Sequence, residues 1–317
     1  MLKIVYMGTP DFAVGPLEAI YHSKHEIAAV VTAPDKPAGR GRKLSESDVK
    51  KFAEANDLPL LQPVNLKDSA FINIIKGINP DVIVVIAFRM LPKAIWSIPA
   101  KGTINLHASL LPQYRGAAPI NWAIINGEKT SGLTTFFINE SIDTGDILLQ
   151  KPMDISETDT FGLLHDRMKE AGKEVILQSL EMIGTGSWSS VPQSQLSEEL
   201  RPAPKLNREN TRIDWSTDAM SIFNKIRGLS PYPGAWTTLT DAQNTEHLIK
   251  ITEVEYSSET RSESIGSISS DLKTQLMIQS GVGMIKVNKL QLSGRSAMTT
   301  AEFLRGYATL LQGAVFK

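Results

Sequence analysis

The sequence predicts an α/β fold in which a doubly wound, mostly parallel sheet is followed by a smaller C-terminal β-barrel. Apolar strand patterns alternate with helical patterns through the first half of the chain, which is typical of βαβ units. The C-terminal third instead carries short, spaced strand patterns separated by turn residues, which indicates a small barrel. The length of 317 residues is sufficient for two domains with separate cores.

Apolar runs predict the N-terminal strands, with helices between and after them. The run at residues 81–86 is rich in β-branched side chains, as in a central parallel strand covered on both faces. The first strand leads into Gly8-Thr9-Pro10 with no GxGxxG motif, so the main support for nicotinamide binding is missing. The expected strands are 2–7, 27–31, 81–86, 235–239, 248–256, 264–268, 275–279 and 283–290. The expected helices are one that begins at an Asp11 N-cap, 51–56, 71–75, 160–183, 217–227 and 301–311.

The chain is organised around a strand at residues 103–107. Polar and apolar side chains alternate there, so Asn105 and His107 point to the same face of the sheet. A helix is expected to begin near Pro119, because proline is tolerated in a first helical turn. A second strand is expected at residues 132–139.

Asp143 follows this second strand in a run of turn residues. The interval from Asn105 to Asp143 (143 − 105 = 38 residues) accommodates one helix and one strand, which is expected to return the chain to the same sheet edge. Open α/β sheets bind ligands at strand ends, so Asn105, His107 and Asp143 are candidates for one site. Each also has an ordinary structural alternative. Asn105 could close a turn, His107 could be a strand histidine whose hydrogen bonds are made within the protein, and Asp143 could be a turn carboxylate.

Four segments surround these residues: Asn105-Leu106-His107, Ser109-Leu110-Leu111-Pro112, Arg115-Gly116-Ala117-Ala118-Pro119-Ile120 and Asp143-Thr144-Gly145-Asp146. Together they resemble the family of formyltransferases that use 10-formyltetrahydrofolate, and the similarity extends over nearly the whole chain. The resemblance implies a formyltransferase-like, Rossmann-type catalytic domain at residues 1–195. It also implies a linker at 196–212 and an OB-like, tRNA-facing β-barrel at 213–317.

The resemblance implies transfer of the formyl group of 10-formyltetrahydrofolate, as cosubstrate, to the α-amino group of methionine on initiator methionyl-tRNA. Asn105 is then expected to donate a hydrogen bond to the oxyanion, and His107 to donate a second or relay protons. Asp143 is expected to hold the His107 ring and help accept the proton of the amine. No metal is expected, since Asn-x-His is not a ligand triad. The residues expected to bind the cosubstrate are Phe88, Leu91, Ser109, Leu110, Leu111 and Pro112.

Arg89 departs from the pattern of the family, which usually has Gly here after an aromatic residue. Gly could adopt a positive φ at this position, whereas the same conformation costs free energy for Arg. The segment is expected to line the pterin pocket through its backbone, and the catalytic assignment does not depend on Arg89.

A Gly/Pro-rich run at residues 33–43 carries four positive side chains. Its ordinary interpretation is a solvated surface loop, and its functional one is a basic finger for phosphates. It resembles the insertion loop with which the tRNA-acting members of the family meet the tRNA acceptor stem. Arg40, Arg42 and Lys43 are therefore expected to bind tRNA, together with Lys205 of the linker. From its residues alone, the C-terminal barrel is as compatible with an inert domain as with one that binds nucleic acid.

Composition narrows the possible classes of protein. The chain has no Cys, which removes disulfides, thiolate nucleophiles and Cys-based metal sites and is consistent with a cytoplasmic location. A net charge of −1 gives no global signature of polyanion binding, although residues 201–317 hold 14 Lys/Arg and 11 Asp/Glu. Neither a signal-peptide pattern nor a membrane-spanning apolar run is present. A monomer without membrane partners is expected.

Three alternatives remain open. A formyltransferase for a small amine, such as glycinamide ribonucleotide or an amino sugar, would share the N-terminal chemistry without needing the basic loop or the barrel. A folate hydrolase would share Asn105, His107 and Asp143, and would differ in using water as the acceptor. A non-catalytic RNA-binding module would need only the C-terminal domain.

Overall fold

The computed structural model describes residues 1–38, 43–196, 199–259 and 263–317, and the chain divides into two compact units. The first unit comprises Met1–Pro119, Thr130–Asp154 and His165–Pro202. The second comprises Ile120–Lys129, Ile155–Leu164 and Ala203–Lys317. Two short segments of the N-terminal half therefore belong to the second unit. The domain boundaries drawn from the sequence stay a prediction.

The strands of the first unit are, in chain order, β1 (Lys3–Gly8), β2 (Glu26–Val31), β3 (Lys36–Ala38), β4 (Lys43–Ser45), β5 (Leu60–Leu61), β6 (Val82–Ile86), β7 (Thr103–His107), β8 (Thr130–Phe137) and β9 (Ile147–Asp154). Within the described residues, seven of them form one sheet in the order β5-β2-β1-β6-β7-β8-β9. The pairs from β5 to β7 are parallel, whereas β8 and β9 are antiparallel. The predicted doubly wound, mostly parallel sheet is confirmed. The sequence patterns missed β9, β5 and the β3-β4 hairpin.

The helices that follow these strands along the chain are α1 (Val14–Tyr21), α2 (Asp48–Ala55), α3 (Ser69–Ile78), α4 (Lys93–Trp96), α5 (Pro119–Ile125) and α6 (Phe161–Thr185). Side-chain caps explain where two of them start. The Ser47 hydroxyl accepts from the Lys50 N–H at the start of α2, and the Asp68 carboxylate accepts from the Ala70 N–H at the start of α3. None of the helices in the described ranges has the length and apolar character to cross a membrane.

The middle of the sheet is buried on both faces. On one face, Val5 and Ile83 pack in a cluster that includes Phe71 and Ile75 of α3. On the other face, Val84 is fully buried as well. A continuous β-branched run is therefore found where the strand has no solvent-facing side.

The second unit contains the strands β10 (Ala235–Thr240), β11 (Glu246–Ser257), β12 (Ile268–Ser270), β13 (Leu276–Gln279), β14 (Met284–Leu292), β15 (Met298–Thr299) and β16 (Val315–Phe316), and the helices α7 (Ala219–Gly228) and α8 (Thr300–Tyr307). The strands form an antiparallel sheet in the order β12-β13-β14-β11-β10-β16, with β15 beside β14. The strand expected at residues 264–268 is displaced towards β12. The last helix ends earlier than expected and continues as a 3₁₀ turn at Ala308–Leu311.

The two ends of this sheet approach each other, which gives a nearly closed barrel as predicted. The Phe316 N–H of β16 donates to the Gly266 carbonyl, just before β12, at 2.9 Å. Gly266 has φ +80°, and a Cβ there would lie 2.0 Å from the Phe316 carbonyl oxygen. Only glycine fits this closing contact.

A buried hydroxyl links the barrel interior to the end of the chain. The Trp215 Nε1–H donates to Thr237 Oγ1 at 2.8 Å, and Thr237 Oγ1 donates to the Lys317 carbonyl at 2.7 Å. Thr240, on the same strand, buries a hydroxyl that has no partner among the described residues. The two threonines therefore bury equivalent hydroxyl groups, one with hydrogen-bond partners and one without any among the described residues.

Replacing each threonine by valine should change the free energy of unfolding differently at the two positions. Thr237→Val leaves a buried indole N–H without an acceptor and should destabilise the protein by about 1–3 kcal/mol. Thr240→Val should be neutral or stabilising, because it removes a buried hydroxyl without a partner. Urea unfolding of both variants measures the difference. Equal stability of the two variants would contradict the assignment.

Candidate active site

Strand β7 places an amide and an imidazole on the same side. Asn105 and His107 alternate with the buried Ile104 and Leu106, and they pair across the sheet with Phe136 and Thr134. The side chain of Asn105 is half-buried and forms no hydrogen bond among the described residues. Its amide N–H groups are therefore available to a ligand.

The His107 ring is buried, and its two nitrogens face different groups. Nε2 lies 2.9 Å from the Tyr114 carbonyl oxygen. A carbonyl only accepts hydrogen bonds, so Nε2 carries the proton and Nδ1 holds the lone pair of the neutral ring. Nδ1 lies 3.8 Å from Asp143 Oδ2, which is longer than a hydrogen bond. Tyr114 thus makes the hydrogen bond that orients the ring, and the expected part of Asp143 in holding it stays a prediction.

Asp143 lies in a tightly defined turn. It has φ +54°, a left-handed conformation in which Asp is one of the better-tolerated residues. Its Oδ2 accepts from the Gly116 N–H at 2.9 Å. Gly145 follows, and a Cβ there would lie 1.6 Å from the Phe137 carbonyl oxygen. The turn therefore requires a residue without a side chain at this point.

Asp143 reaches the site by a different route from the one expected. Because β8 is antiparallel to β7, it ends beside the start of β7, where the Ile138 N–H donates to the Thr103 carbonyl. The loop 138–146 then brings Asp143 to the His107 ring, at the other end of β7. Asp143 thus returns to the edge that carries His107, as the spacing suggested, but the loop makes this return because β8 itself ends at the opposite edge.

The segment Ser109–Pro112 is fixed by hydrogen bonds to the neighbouring strands. Thr134 Oγ1 donates to the Ser109 carbonyl at 2.6 Å and accepts from the Leu111 N–H at 3.1 Å. Gln150 Nε2 donates to the Leu111 carbonyl at 2.9 Å. Leu111 itself packs in a buried cluster with Phe136. The expected contacts of Ser109, Leu110, Leu111 and Pro112 with folate stay a prediction.

One buried residue beside the site was missed by the sequence analysis. Gln193 lies in a short 3₁₀ helix at Gln193–Gln195, within a stretch whose composition indicates only a loop, and it is 3% exposed. Its Nε2 donates to the carbonyls of Asp143 and Gly145, and its Oε1 accepts from Arg115. A polar residue that is buried in a Ser/Gln-rich loop gives no periodic signal in the sequence.

A cavity of about 580 Å³ lies in the first unit, between residues 64–67 and 89–93. Its lining combines apolar side chains, Leu91 and Trp96 among them, with the cations Lys67 and Lys93. Lys93 is paired with Glu140 at 2.5 Å, in the loop that also carries Asp143. Such a volume suits a drug-sized ligand with an aromatic part and negative charge.

Arg89 closes one side of this cavity and does not adopt the strained backbone. Its guanidinium donates to the carbonyls of Val64 and Pro63 at 3.0 and 2.8 Å and lies 5.2 Å from the Phe88 ring centroid. Burial lowers the pKa of Arg89. The positive φ in this segment, +47°, belongs to Ala87 instead. The larger side chain is thus used to bridge two loops.

The residues expected to bind tRNA lie in different parts of the chain, and the structure does not describe all of them. Arg40 and Arg42 lie outside the described residues. Lys43 begins β4, whose pairing with β3 forms the base of the basic loop. Lys205 is exposed in the second unit, and the Asn210 side-chain amide donates to its carbonyl at 3.1 Å.

The base of the basic loop is held by an ion cluster. The Lys50 ammonium lies 2.5 Å from Asp35 and 2.8 Å from Glu46. The hydrogen bond that the Lys50 ammonium donates to the Asp35 carboxylate raises the pKa of Lys50 and lowers the pKa of Asp35. Among the described residues, no group of three or more His, Asp or Glu is placed to hold a metal ion.

Comparison with known proteins gives matches over nearly the whole chain. Residues 2–180 match the family model described as formyl transferase, and residues 205–308 match that of the formyl transferase C-terminal domain. A methionyl-tRNA formyltransferase of Bacteroides fragilis is 45% identical over 308 residues, covering 96% of this chain and 95% of that protein. One from Flavobacterium johnsoniae is 47% identical over 305 residues, covering 96% of each.

Solved structures share the fold at much lower identity. HypX from Aquifex aeolicus, in complex with tetrahydrofolic acid, has a TM-score of 0.63 at 18% identity and covers 96% of this chain, which spans 47% of that one. WlaRD, a sugar 3N-formyl transferase, has a TM-score of 0.63 at 20% identity, covering 93% of this chain and 99% of its own. At such identities these two likenesses describe the fold alone.

Proposed function

The chain belongs to the formyl transferase family, and on that premise we propose that it transfers a formyl group to the amino group of an aminoacyl-tRNA. The donor is 10-formyltetrahydrofolate, and the acceptor is the α-amino group of methionine on initiator methionyl-tRNA. The relatives that carry the name methionyl-tRNA formyltransferase support this over nearly their full length. The observation that carries the chemistry is the approach of Asp143 to His107 Nδ1, on the strand that also presents the Asn105 amide; neither Nδ1 nor this amide has a hydrogen-bond partner in the part of the chain that the structure describes.

The reaction forms a bond between the amine nitrogen and the formyl carbon and breaks the bond between that carbon and N10 of the folate. Negative charge develops on the formyl oxygen in the tetrahedral intermediate. In the proposal, the Asn105 amide donates a hydrogen bond to this oxygen. Removing one donor of this kind costs about 10²–10³ in kcat in comparable sites.

One proton must leave the attacking amine, and one must reach N10 as its bond to the formyl carbon breaks. Because the Tyr114 carbonyl keeps the proton on Nε2, the His107 ring exchanges protons at Nδ1. Nδ1 faces Asp143, whose carboxylate stabilises positive charge on the ring or receives the proton through water. The proposal assigns the proton transfer to this pair.

The formyl donor supplies an activated one-carbon group when bound. The cavity lined by Leu91, Trp96 and Lys67 fits a ligand that combines an aromatic ring system with carboxylates. We place the donor against Phe88, Leu91 and the segment 109–112, whose backbone is already fixed by Thr134. This assignment rests on the family resemblance together with the fit of the cavity.

Two parts of the chain are proposed to contact tRNA. The first is the basic loop with Arg40, Arg42 and Lys43, together with Lys205. The second lies on the outer face of the barrel, around Trp236. The proposed acceptor, initiator methionyl-tRNA, belongs to translation initiation, so the proposal places the enzyme in the cytoplasm. The candidate site uses residues of one unit, which is compatible with action as a monomer.

The barrel face around Trp236 holds two guanidinium groups that no carboxylate of the described residues approaches within ion-pair distance. The guanidinium carbons of Arg208 and Arg212 lie 5.0 and 5.5 Å from the Trp236 ring centroid, and neither forms an ion pair within the described part of the chain. Lys250 pairs with Trp236 across the strands, and Ala235 and Ile251 beside them belong to the core. An aromatic ring orients a guanidinium without cancelling its charge, which suits phosphate binding.

The acceptor is tested by offering 10-formyltetrahydrofolate with methionyl initiator tRNA, free methionine or glycinamide ribonucleotide in separate reactions. We expect formyl transfer only to the charged tRNA. Transfer to a small amine would keep the chemistry and overturn the acceptor. Release of formate without any acceptor would indicate a hydrolase.

Removing the proposed oxyanion donor should slow the chemical step. Asn105→Ala and Asn105→Asp should each lower kcat by about 10²–10³, with melting temperatures close to that of the wild type. Single-turnover formylation at saturating substrates measures the effect. Turnover near that of the wild type in the alanine variant would remove Asn105 from the mechanism.

The barrel face is tested by charge removal with a matched control. Arg208→Gln/Arg212→Gln should raise KM for tRNA on the order of tenfold and flatten the salt dependence of binding by about 0.7–0.9 per lost phosphate contact. Lys286→Gln/Lys289→Gln removes the same charge from the same sheet, where Glu255 and Glu253 already pair these lysines. If both pairs of substitutions have equal effects, the face does not bind tRNA.

A further inference from the structure

Hydrogen bonds join the turn of Asp143 to the segment at residues 114–116 in two places, at the Asp143 carboxylate and through the side chain of Gln193. The Gln193 Nε2 group donates to the carbonyls of Asp143 and Gly145 at 3.0 and 2.7 Å. Its Oε1 accepts from Arg115 Nε and Nη2 at 3.0 and 2.6 Å. One buried amide therefore binds the turn that carries Asp143 and the segment that faces it.

The orientation of this amide is set by its partners. Carbonyls only accept and a guanidinium only donates, so the nitrogen of Gln193 must face the turn and its oxygen must face Arg115. Both N–H groups and both lone pairs of the amide are used. A reversed amide would set N–H groups against the guanidinium and its oxygen against two carbonyls.

The residues on either side of Arg115 contact the two proposed catalytic groups directly. The Tyr114 carbonyl accepts from His107 Nε2, and the Gly116 N–H donates to Asp143 Oδ2. Arg115 is thus the middle residue of a tripeptide that fixes the ring on one side and the carboxylate on the other. Gln193 fixes this tripeptide relative to the turn.

The segment that carries Gln193 is itself anchored on both sides of the residue. Val191 and Ile147 exchange two backbone hydrogen bonds of 2.9 Å. Farther along, the Arg201 carbonyl accepts from the Tyr114 N–H at 2.7 Å. The segment of Gln193 is therefore held in place by backbone hydrogen bonds, and within the described residues Gln193 forms no hydrogen bond with the side chain of Asn105 or with His107.

We propose that Gln193, with Arg115, is a positioning residue that holds the Asp143 carboxylate within reach of His107 Nδ1. This inference rests on the proposed function, because it assigns Gln193 an effect on proton transfer through Asp143. Without Gln193, the turn loses two hydrogen bonds from a buried donor, and Arg115 loses its acceptor. A carboxylate displaced by about 1 Å is sufficient to cost on the order of 10²-fold in rate.

The test compares Gln193→Ala with Gln195→Ala, an exposed residue of the same short helix. Gln193→Ala should lower kcat about 10²-fold and leave KM for the formyl donor and for charged tRNA within about twofold, because Gln193 is proposed to touch neither substrate. Gln195→Ala should match the wild type. An unchanged kcat, or a raised KM with normal kcat, would overturn the proposal.

A double-mutant cycle separates positioning from general stability. If Gln193 acts through Asp143, adding Gln193→Ala to Asp143→Ala should cost no further activity. Independent losses that multiply would indicate a merely structural role and overturn the proposal. Arg115→Met provides the same cycle from the other side of the pair should Gln193→Ala fail to fold.

Amide hydrogen exchange tests the hydrogen bonds of Gln193 by a measurement that does not depend on enzyme activity. Peptides covering residues 139–146 should exchange faster in Gln193→Ala than in Gln195→Ala. If the wild type shows no formyl transfer but this difference is present, the proposed function fails and the positioning of Asp143 by Gln193 stands. If the wild type is active and the exchange is unchanged, the inference fails alone.

Discussion

The hydrogen bond between the His107 ring and the Tyr114 carbonyl is the interaction on which the rest of the site depends. It commits Nε2 to a backbone acceptor and leaves Nδ1 as the nitrogen that gains or loses a proton. Asp143 faces Nδ1, and its carboxylate is bound by the Gly116 N–H, two residues after Tyr114. A short piece of backbone therefore determines the ring tautomer and the position of the neighbouring charge together.

The sequence predicted five of the seven described strands of the first sheet, all but β5 and β9, because their patterns are local. The residues of β7 alternate, and those of β6 form a continuous β-branched run, so each carries its own period. Direction in the sheet is not local: nothing in the residues of β8 states that it runs antiparallel to β7. The side chains offered by β7 could thus be predicted, whereas the path by which Asp143 reaches them could not.

Gln193 shows a second limit of sequence analysis. Its surroundings are rich in Ser and Gln, a composition that favours an exposed loop, and its burial arises from partners 48 to 78 positions away in the chain. A buried glutamine is stable only where both N–H groups and its oxygen find partners, and those partners exist only in the folded unit. Arg89 illustrates the same point, because its role comes from the hydrogen bonds that its guanidinium donates to two carbonyls and not from its backbone conformation.

The two units use charged side chains in different ways. Around the candidate site, the polar groups that position Asp143 bond to one another, as in the bonds of Gln193 with Arg115 and of Asp143 with Gly116. Such engagement fixes geometry and suits groups that must act on a bound molecule at defined distances. On the barrel face, Trp236 orients two guanidinium groups without neutralising them. Oriented cations that keep their charge suit a polyanion, because they can pair with its phosphates and release the counterions bound there. The division matches an enzyme that must place a small reacting group accurately while it holds a large charged carrier.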